Sequence, residues 1–270
     1  MNLYEGRALR ESPRRRRGGR LRRVGVMLGG ILTLAGLAHV PWQGLWHRVA
    51  AVTNVRVVGA RALDPGSVLA IAGIARGVDP SARDLDRARQ RLLLEPRVAK
   101  ARVLRSGLRG VEVRIEERVP VLRVAHGVPW EIDSAGVLLA PLANGVTADV
   151  PLLSGPRLEA LPAGARIGTP AVERGLAWIQ ALSARELELG ARTSEIDVSD
   201  SRTTGLLLMS GTRVLCPAWP PGVRTLSALR VVLADLERRG TLAEEVDMRY
   251  EHQVIVRPPG PAAPAGTHGG

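Results

Sequence analysis

Seventeen residues, Val24 to Val40 (VGVMLGGILTLAGLAHV), pass without a formal charge directly behind a 23-residue segment that carries nine arginines and two acids. No other feature restricts the fold of this chain as strongly. A helix rising 1.5 Å per residue covers roughly 25 Å over such a run, slightly short of a hydrocarbon core near 30 Å. Trp42 and Trp46 follow and suit the water–lipid interface on the far side. Residues 24–46 therefore read as a transmembrane anchor, with Val24, Leu28, Leu32 and Leu37 among its apolar residues. The arginine flank predicts that the basic tail, 1–23, stays in the cytoplasm and that everything after Trp46 is exported. A removable signal peptide is the competing reading, with Gly36 and Ala38 as small residues before a cleavage site. The apolar run is longer than the usual signal-peptide core, which favours an uncleaved anchor. Gly25 and Gly29 form a GxxxG spacing that lets helices approach closely, although glycine is common in membrane helices without that role. The adjoining arginines argue against a buried core helix.

The charge distribution bears on partners. The whole chain carries a net +12, yet residues 24–270 hold 29 basic and 24 acidic residues, a net of only +5. A pI this basic invites a nucleic-acid reading, but most of the excess sits on the short tail. Contact of that tail with RNA or acidic lipid would be unspecific and salt-dependent. A single cysteine, Cys216, excludes an intramolecular disulfide and a multi-cysteine zinc site. Phenylalanine is absent, so any core is built from Val, Leu, Ile and Ala with a few Trp.

Residues 51–120 form the first unit beyond the anchor. Val52 to Val58 reads as a strand ending at Gly59-Ala60. Asp64-Pro65 supplies an N-cap and a proline at N1 for a short helix reaching about Ala72, broken by Gly73 and Gly77. A second helix starts near Ser81 or Asp84, buries Leu85, Ala88 and Leu92, and ends at Pro96. Strands Val98 to Leu104 and Val111 to Glu117 follow. The latter alternates strictly, with Val111, Val113 and Ile115 inward. The order β-α-α-β-β predicts two helices over one face of a three-stranded sheet.

These residues resemble a POTRA domain of the kind found in the bacterial division protein family FtsQ, also called DivIB. The matching points are Val57 to Gly59, Pro96-Arg97-Val98, Ala101 and Glu117-Arg118-Val119-Pro120. The resemblance implies a second, β-rich domain over 121–257. Trp130 to Val137 is similar to the family's strand-turn-strand element, with Asp133 and Gly136 serving the turn. Val150 to Gly155 resembles its LP-x-L-x-G segment. Thr169-Pro170 starts a helix with Val172, Leu176, Ile179 and Leu182 on one face. Strands are expected at 196–198, 206–209 and 214–216, and a helix over about Thr225–Arg239 before Gly240. The Pro-rich stretch 217–221 departs from the family pattern and obscures the strand-to-helix junction. Val246 to Arg257 is close to the family's terminal strand, and 258–270, a Pro/Gly/Ala tail, is expected to be disordered. The fold class is thus α+β: one transmembrane helix, a POTRA domain, and a mainly antiparallel β domain with flanking helices.

No catalytic constellation appears in the sequence. The five histidines are scattered, and no phosphate-binding glycine loop, nucleophile elbow or metal-ligand spacing occurs. Glu116 and Glu117 are adjacent on one strand and point to opposite faces. No cofactor is implied, which leaves interaction as the function. Read as one continuous strand, the C-terminal segment places Val246, Met248, Tyr250, His252, Val254 and Val256 on one face. An edge strand can accept a partner strand through its free backbone groups. By resemblance, this strand and the helix before it bind FtsB-like and FtsL-like division proteins, which marks Arg249, Tyr250, Glu251, Val254 and Val256 as partner-binding residues. The opposing expectation is that Tyr250 and Val254 pack in the core and Arg249 sits on a solvated face. The resemblance further implies a non-enzymatic scaffold in the inner membrane at the division septum. A POTRA chaperone of outer-membrane protein assembly is the alternative; it calls for several POTRA repeats or a barrel-length set of strands, and neither is apparent.

Overall fold

Two separate sheets, each with its own apolar core, account for the chain beyond residue 50. The computed structural model describes residues 18–38, 51–126, 128–142, 145–156, 161–241, 243–250 and 253–258.

Helix α1 (Gly18–Ala38) precedes both sheets. Each residue from Arg22 to Ala38 is exposed, so none of the other described elements covers it. Among the described residues, no helix is long and apolar enough to cross a membrane. The apolar stretch from Val24 to Ala38 spans about 22 Å of helix. The remainder of the expected anchor, including Trp42 and Trp46, lies outside the described residues.

The first sheet has the order β1 (Asn54–Val58), β3 (Gly110–Glu117), β2 (Val98–Arg105). Helix α2 (Pro65–Ala72) begins where Asp64 accepts the Ser67 amide and ends at Gly73, whose φ of 66° suits a residue without Cβ. Helix α3 (Ala82–Leu93) opens with a reciprocal capping box between Ser81 and Asp84. Val68, Ala72, Ala88 and Leu92 on the helices meet Val98, Ala101, Val103, Val111, Val113 and Ile115 on the strands. The alternation read in the sequence is what puts every second residue of β3 into this core.

The second sheet is larger and mixed. Its strands are β4 (Pro120–His126), β5 (Val128–Asp133), β6 (Leu138–Leu139), β7 (Leu152–Ser154), β8 (Thr193–Asp197), β9 (Thr203–Leu208), β10 (Arg213–Pro217), β11 (Glu245–Asp247) and β12 (Ile255–Arg257). They lie in the order β12-β11-β10-β9-β8-β7-β4-β5-β6. Five pairings are antiparallel and three are parallel. Two of the parallel pairs have a clear cause. Helix α4 (Pro170–Leu182) carries the chain from β7 back to β8, and helix α5 (Val223–Arg238) carries it from β10 to β11. A helical crossover returns the chain in the same direction, whereas a tight turn reverses it.

Helix α4 packs directly on the sheet. A Cβ at Gly175 would lie 2.4 Å from Leu153 Cδ1, so any larger residue here would force the Leu153 side chain to shift. Fully buried Trp178 donates its indole N–H to the Ala218 carbonyl at 2.9 Å, and Thr204 Oγ1 donates to the same oxygen at 2.8 Å. These bonds explain the Pro-rich departure: the stretch after β10 supplies a carbonyl that two core side chains require, and α5 starts only at Val223.

Candidate interaction surfaces

The C-terminal segment is not one continuous strand. β11 runs parallel to β10, the chain then turns, and β12 returns antiparallel to β11 with Val246 opposite Val256. The cause lies at Asp247, which is buried on β11. Its carboxylate accepts the Arg249 backbone N–H at 3.1 Å, Nε at 2.9 Å and Nη2 at 2.7 Å. The Arg249 side chain holds the Asp247 carboxyl below the usual carboxylate range, against the opposing effect of burial. This local clasp ends β11 and starts the turn, as Asx-type bonds do elsewhere.

The single alternating face expected from Val246 to Val256 therefore does not exist. Val246 and Met248 are core residues, Val254 is half-buried against that core, and Tyr250 and Val256 are exposed. Arg249 is committed to Asp247, so it is neither a bare solvated charge nor a free contact group. Glu251 and His252 lie outside the described residues. What stands open is β12 itself, the outermost strand of its sheet, with all three residues exposed. Tyr250, Ile255 and Val256 give this edge an apolar character, and Arg257 Nη1 reaches Glu245 Oε1 at 2.7 Å across the hairpin. Helix α5 buries Leu226, Leu229 and Leu233 and leaves Val223 and Val231 exposed.

A second constellation joins the two sheets. Arg97, in the turn before β2, donates Nη2 to Glu131 Oε2 at 2.7 Å and to the Ala140 carbonyl at 2.6 Å. Both side chains of this ion pair are almost completely buried, at 7% and 2% exposure. Glu131 also accepts the Ala148 amide at 2.6 Å. Arg118 Nη1 donates to Asp133 Oδ2 at 2.8 Å, while Asp133 Oδ1 accepts the Ala135 and Val137 amides in the β5–β6 turn. Glu117 accepts the amides of Arg61, Ala62 and Leu63 at 3.0, 2.8 and 3.0 Å. Burial raises the pKa of its carboxyl, but the three amides outweigh that and hold it below the usual range.

The chain matches the model of the POTRA domain, FtsQ-type, over residues 50–118. It is 26% identical to the cell division protein FtsQ of Syntrophotalea carbinolica over 214 residues, covering 76% of this chain and 73% of that protein. It is 35% identical to FtsQ of Rhodothermus marinus over 158 residues, 57% of this chain and 56% of that protein. FtsQ of Anaeromyxobacter sp. is 28% identical over 236 residues, 86% of this chain and 80% of that protein. The first sheet thus matches the FtsQ-type POTRA family, and the similarity to FtsQ proteins extends over most of the chain. These relatives are named cell division proteins, and they do not favour the outer-membrane chaperone reading.

Several FtsQ-like motifs found in the sequence now have a physical meaning. Arg97 of Pro96-Arg97-Val98 and Arg118 of Glu117-Arg118-Val119-Pro120 supply the cations of the inter-sheet joint, while Glu117 ties β3 to residues 61–63 of its own unit. Their contacts with Glu131 and Asp133 are not apparent from the motifs themselves. A signal was available, since arginines placed at strand ends between two apolar units are natural partners for carboxylates on a neighbouring strand. Gly136, at φ 78°, closes the turn that Asp133 begins. Cys216 is fully buried in the sheet, and burial, with Asp247 nearby, pushes its thiol pKa far up, which leaves it unreactive as a thiolate. Among the described residues, no group of three or more His, Cys, Asp or Glu is placed to hold a metal ion.

Proposed function

We propose that this chain is an FtsQ-type, non-enzymatic, single-pass membrane scaffold of the division machinery. In this reading residues 1–23 are cytoplasmic, 24–46 cross the inner membrane, and a POTRA domain (51–120) and a β domain (121–257) stand outside it at the septum. The β domain offers the β12 edge to FtsB-like and FtsL-like partners, so the mechanism is capture of a partner segment by strand addition. The observation that carries this is the open β12 edge, with Tyr250, Ile255 and Val256 exposed beside its backbone. Main-chain pairing would supply affinity, and the apolar side chains would choose the partner. Arg249 enters through Asp247: it shapes the turn that presents the edge. Glu251, Val254 and Val256 complete the proposed contact set.

The test is a pull-down from membranes with the tagged full chain, compared with Val254→Pro at the entry to β12 and with Tyr250→Ala on the exposed turn. Wild type is expected to bring down FtsB-like and FtsL-like proteins. Val254→Pro should lose them, and Tyr250→Ala should weaken recovery while folding normally by circular dichroism. Undiminished recovery with both variants would place the binding surface elsewhere. No recovery with the wild type would remove the scaffold reading.

A further inference from the structure

The charge of the chain is divided between its two sheets. Residues 51–120 carry fourteen Arg and Lys against eight acids, a net of +6, whereas residues 121–257 carry fourteen against sixteen, a net of −2. The basic unit is also the one that follows α1. Twelve residues separate Ala38 from Ala51, and that length of chain reaches at most roughly 40 Å when fully extended.

The end of the first sheet where the chain enters is built from two loops. Val52 is pinned to the loop after α2: its amide donates to the Val78 carbonyl at 2.9 Å, and Gly77 donates to the Val52 carbonyl at 2.8 Å. The Thr53 amide donates to the Arg109 carbonyl at 2.9 Å, which brings the β2–β3 hairpin tip beside the entry point. The two loops are tied to each other by an ion pair between Arg105 and Asp79 and by Arg105 Nη2 donating to the Pro80 carbonyl at 3.3 Å. Around this entry point large apolar side chains stand in the open: Val78 is 56% exposed and Leu108 54%. Arg76 and Arg109 flank them, both exposed.

We propose that this loop pair is a membrane-docking surface, on which Val78 and Leu108 enter the headgroup layer while Arg76 and Arg109 bind the phosphates of anionic lipids. An apolar tip beside arginines suits the interface, because the tips leave water while the cations meet surface charge. The occupant follows from the path of the chain: the surface surrounds the residue at which the polypeptide arrives from the proposed anchor. The inference rests on that anchor reading, and the measurement separates the two.

The full chain, in vesicles of phosphatidylethanolamine and phosphatidylglycerol with brominated acyl chains, is labelled with an environment-sensitive fluorophore at Leu108→Cys. A second sample carries the label at Thr241→Cys, an exposed site in the loop between α5 and β11 of the other unit. Buried Cys216 does not compete for the reagent. The Leu108 label should be quenched strongly and the Thr241 label weakly. Each arginine at an anionic surface is worth about a fivefold factor, so Arg76→Glu combined with Arg109→Glu should cut the docked fraction about tenfold or more. Phosphatidylcholine vesicles should have the same effect. Equal quenching at the two sites, or quenching indifferent to the reversals and to lipid charge, would overturn the proposal. Retention after an alkaline wash reads the anchor independently. A chain that washes out refutes the anchor, and quenching before the wash still decides the docking.

Discussion

The joint between the sheets and the outer edge of the second sheet both use arginine–carboxylate pairs, and they use them oppositely. Arg97 and Glu131 are sealed from water, and both Glu131 oxygens and the Ala140 carbonyl each accept a named donor. Arg257 and Glu245 are linked at the same 2.7 Å, but Arg257 is 62% exposed. Burial decides what the distance cannot. A charge pair taken out of water locks its surroundings, since removing one partner strands the other, whereas an exposed pair trades freely with solvent. The molecule is fixed where its domains meet and exchangeable where a partner is proposed to bind.

The largest test of this contrast is Glu131→Ala. It leaves Arg97 buried without its carboxylate and should cost about 3–5 kcal/mol. The midpoint of denaturant unfolding of the full chain measures this. Replacing Arg97 and Glu131 together with Met and Leu should recover most of the loss, because burying apolar groups is no worse than burying a well-made pair. A double variant as unstable as the single one would mean that the joint depends on the Ala140 and Ala148 contacts instead.

Acid should weaken both units. Glu117 on β3 of the first unit and Asp247 at the edge of the second both have folded pKa values below their ordinary ones. Their stabilisation is therefore fully present above the unfolded carboxylate range near 4 and is lost as pH falls through the lower folded values. Unfolding followed from pH 6 downward should show stability constant at first and declining below about pH 4. A decline beginning near neutrality would implicate other groups. The smallest effect belongs to Arg257→Ala, which should change stability by less than about 1 kcal/mol, since the pair it breaks faces water. A larger loss would show that the edge is as rigid as the joint.

The first sheet was legible in the sequence almost to the residue. Asp64-Pro65, the Ser81/Asp84 box and the strict alternation of Val111 to Glu117 are local signals, and local physics decided those elements. The second sheet was legible as a list of strands but not as an order. The neighbours of β7, for instance, are β4 and β8, and pairings across such separations leave no periodic trace in the chain. The path of the C-terminal stretch was hidden for a narrower reason. Alternation from Val246 to Val256 looked continuous, yet Asp247 clasping Arg249 redirected the backbone within that stretch, and a period-two pattern does not register a turn that keeps the parity. The joint was hidden because Arg97 and Glu131 lie 34 residues apart.

The joint has a mechanical consequence. Arg97–Glu131 and Arg118–Asp133 attach the second sheet to the first at two separate points, and two points remove the swivel that one would permit. Held in this way, the two units would move together as a strut rather than as beads on a string. A strut standing on the bilayer would hold its far edge at a set height and bearing, so the protein would act as a gauge: a partner segment would engage only where its own reach from the membrane equals that height. Lengthening the partner's stalk by one helical turn would then matter as much as altering its binding residues.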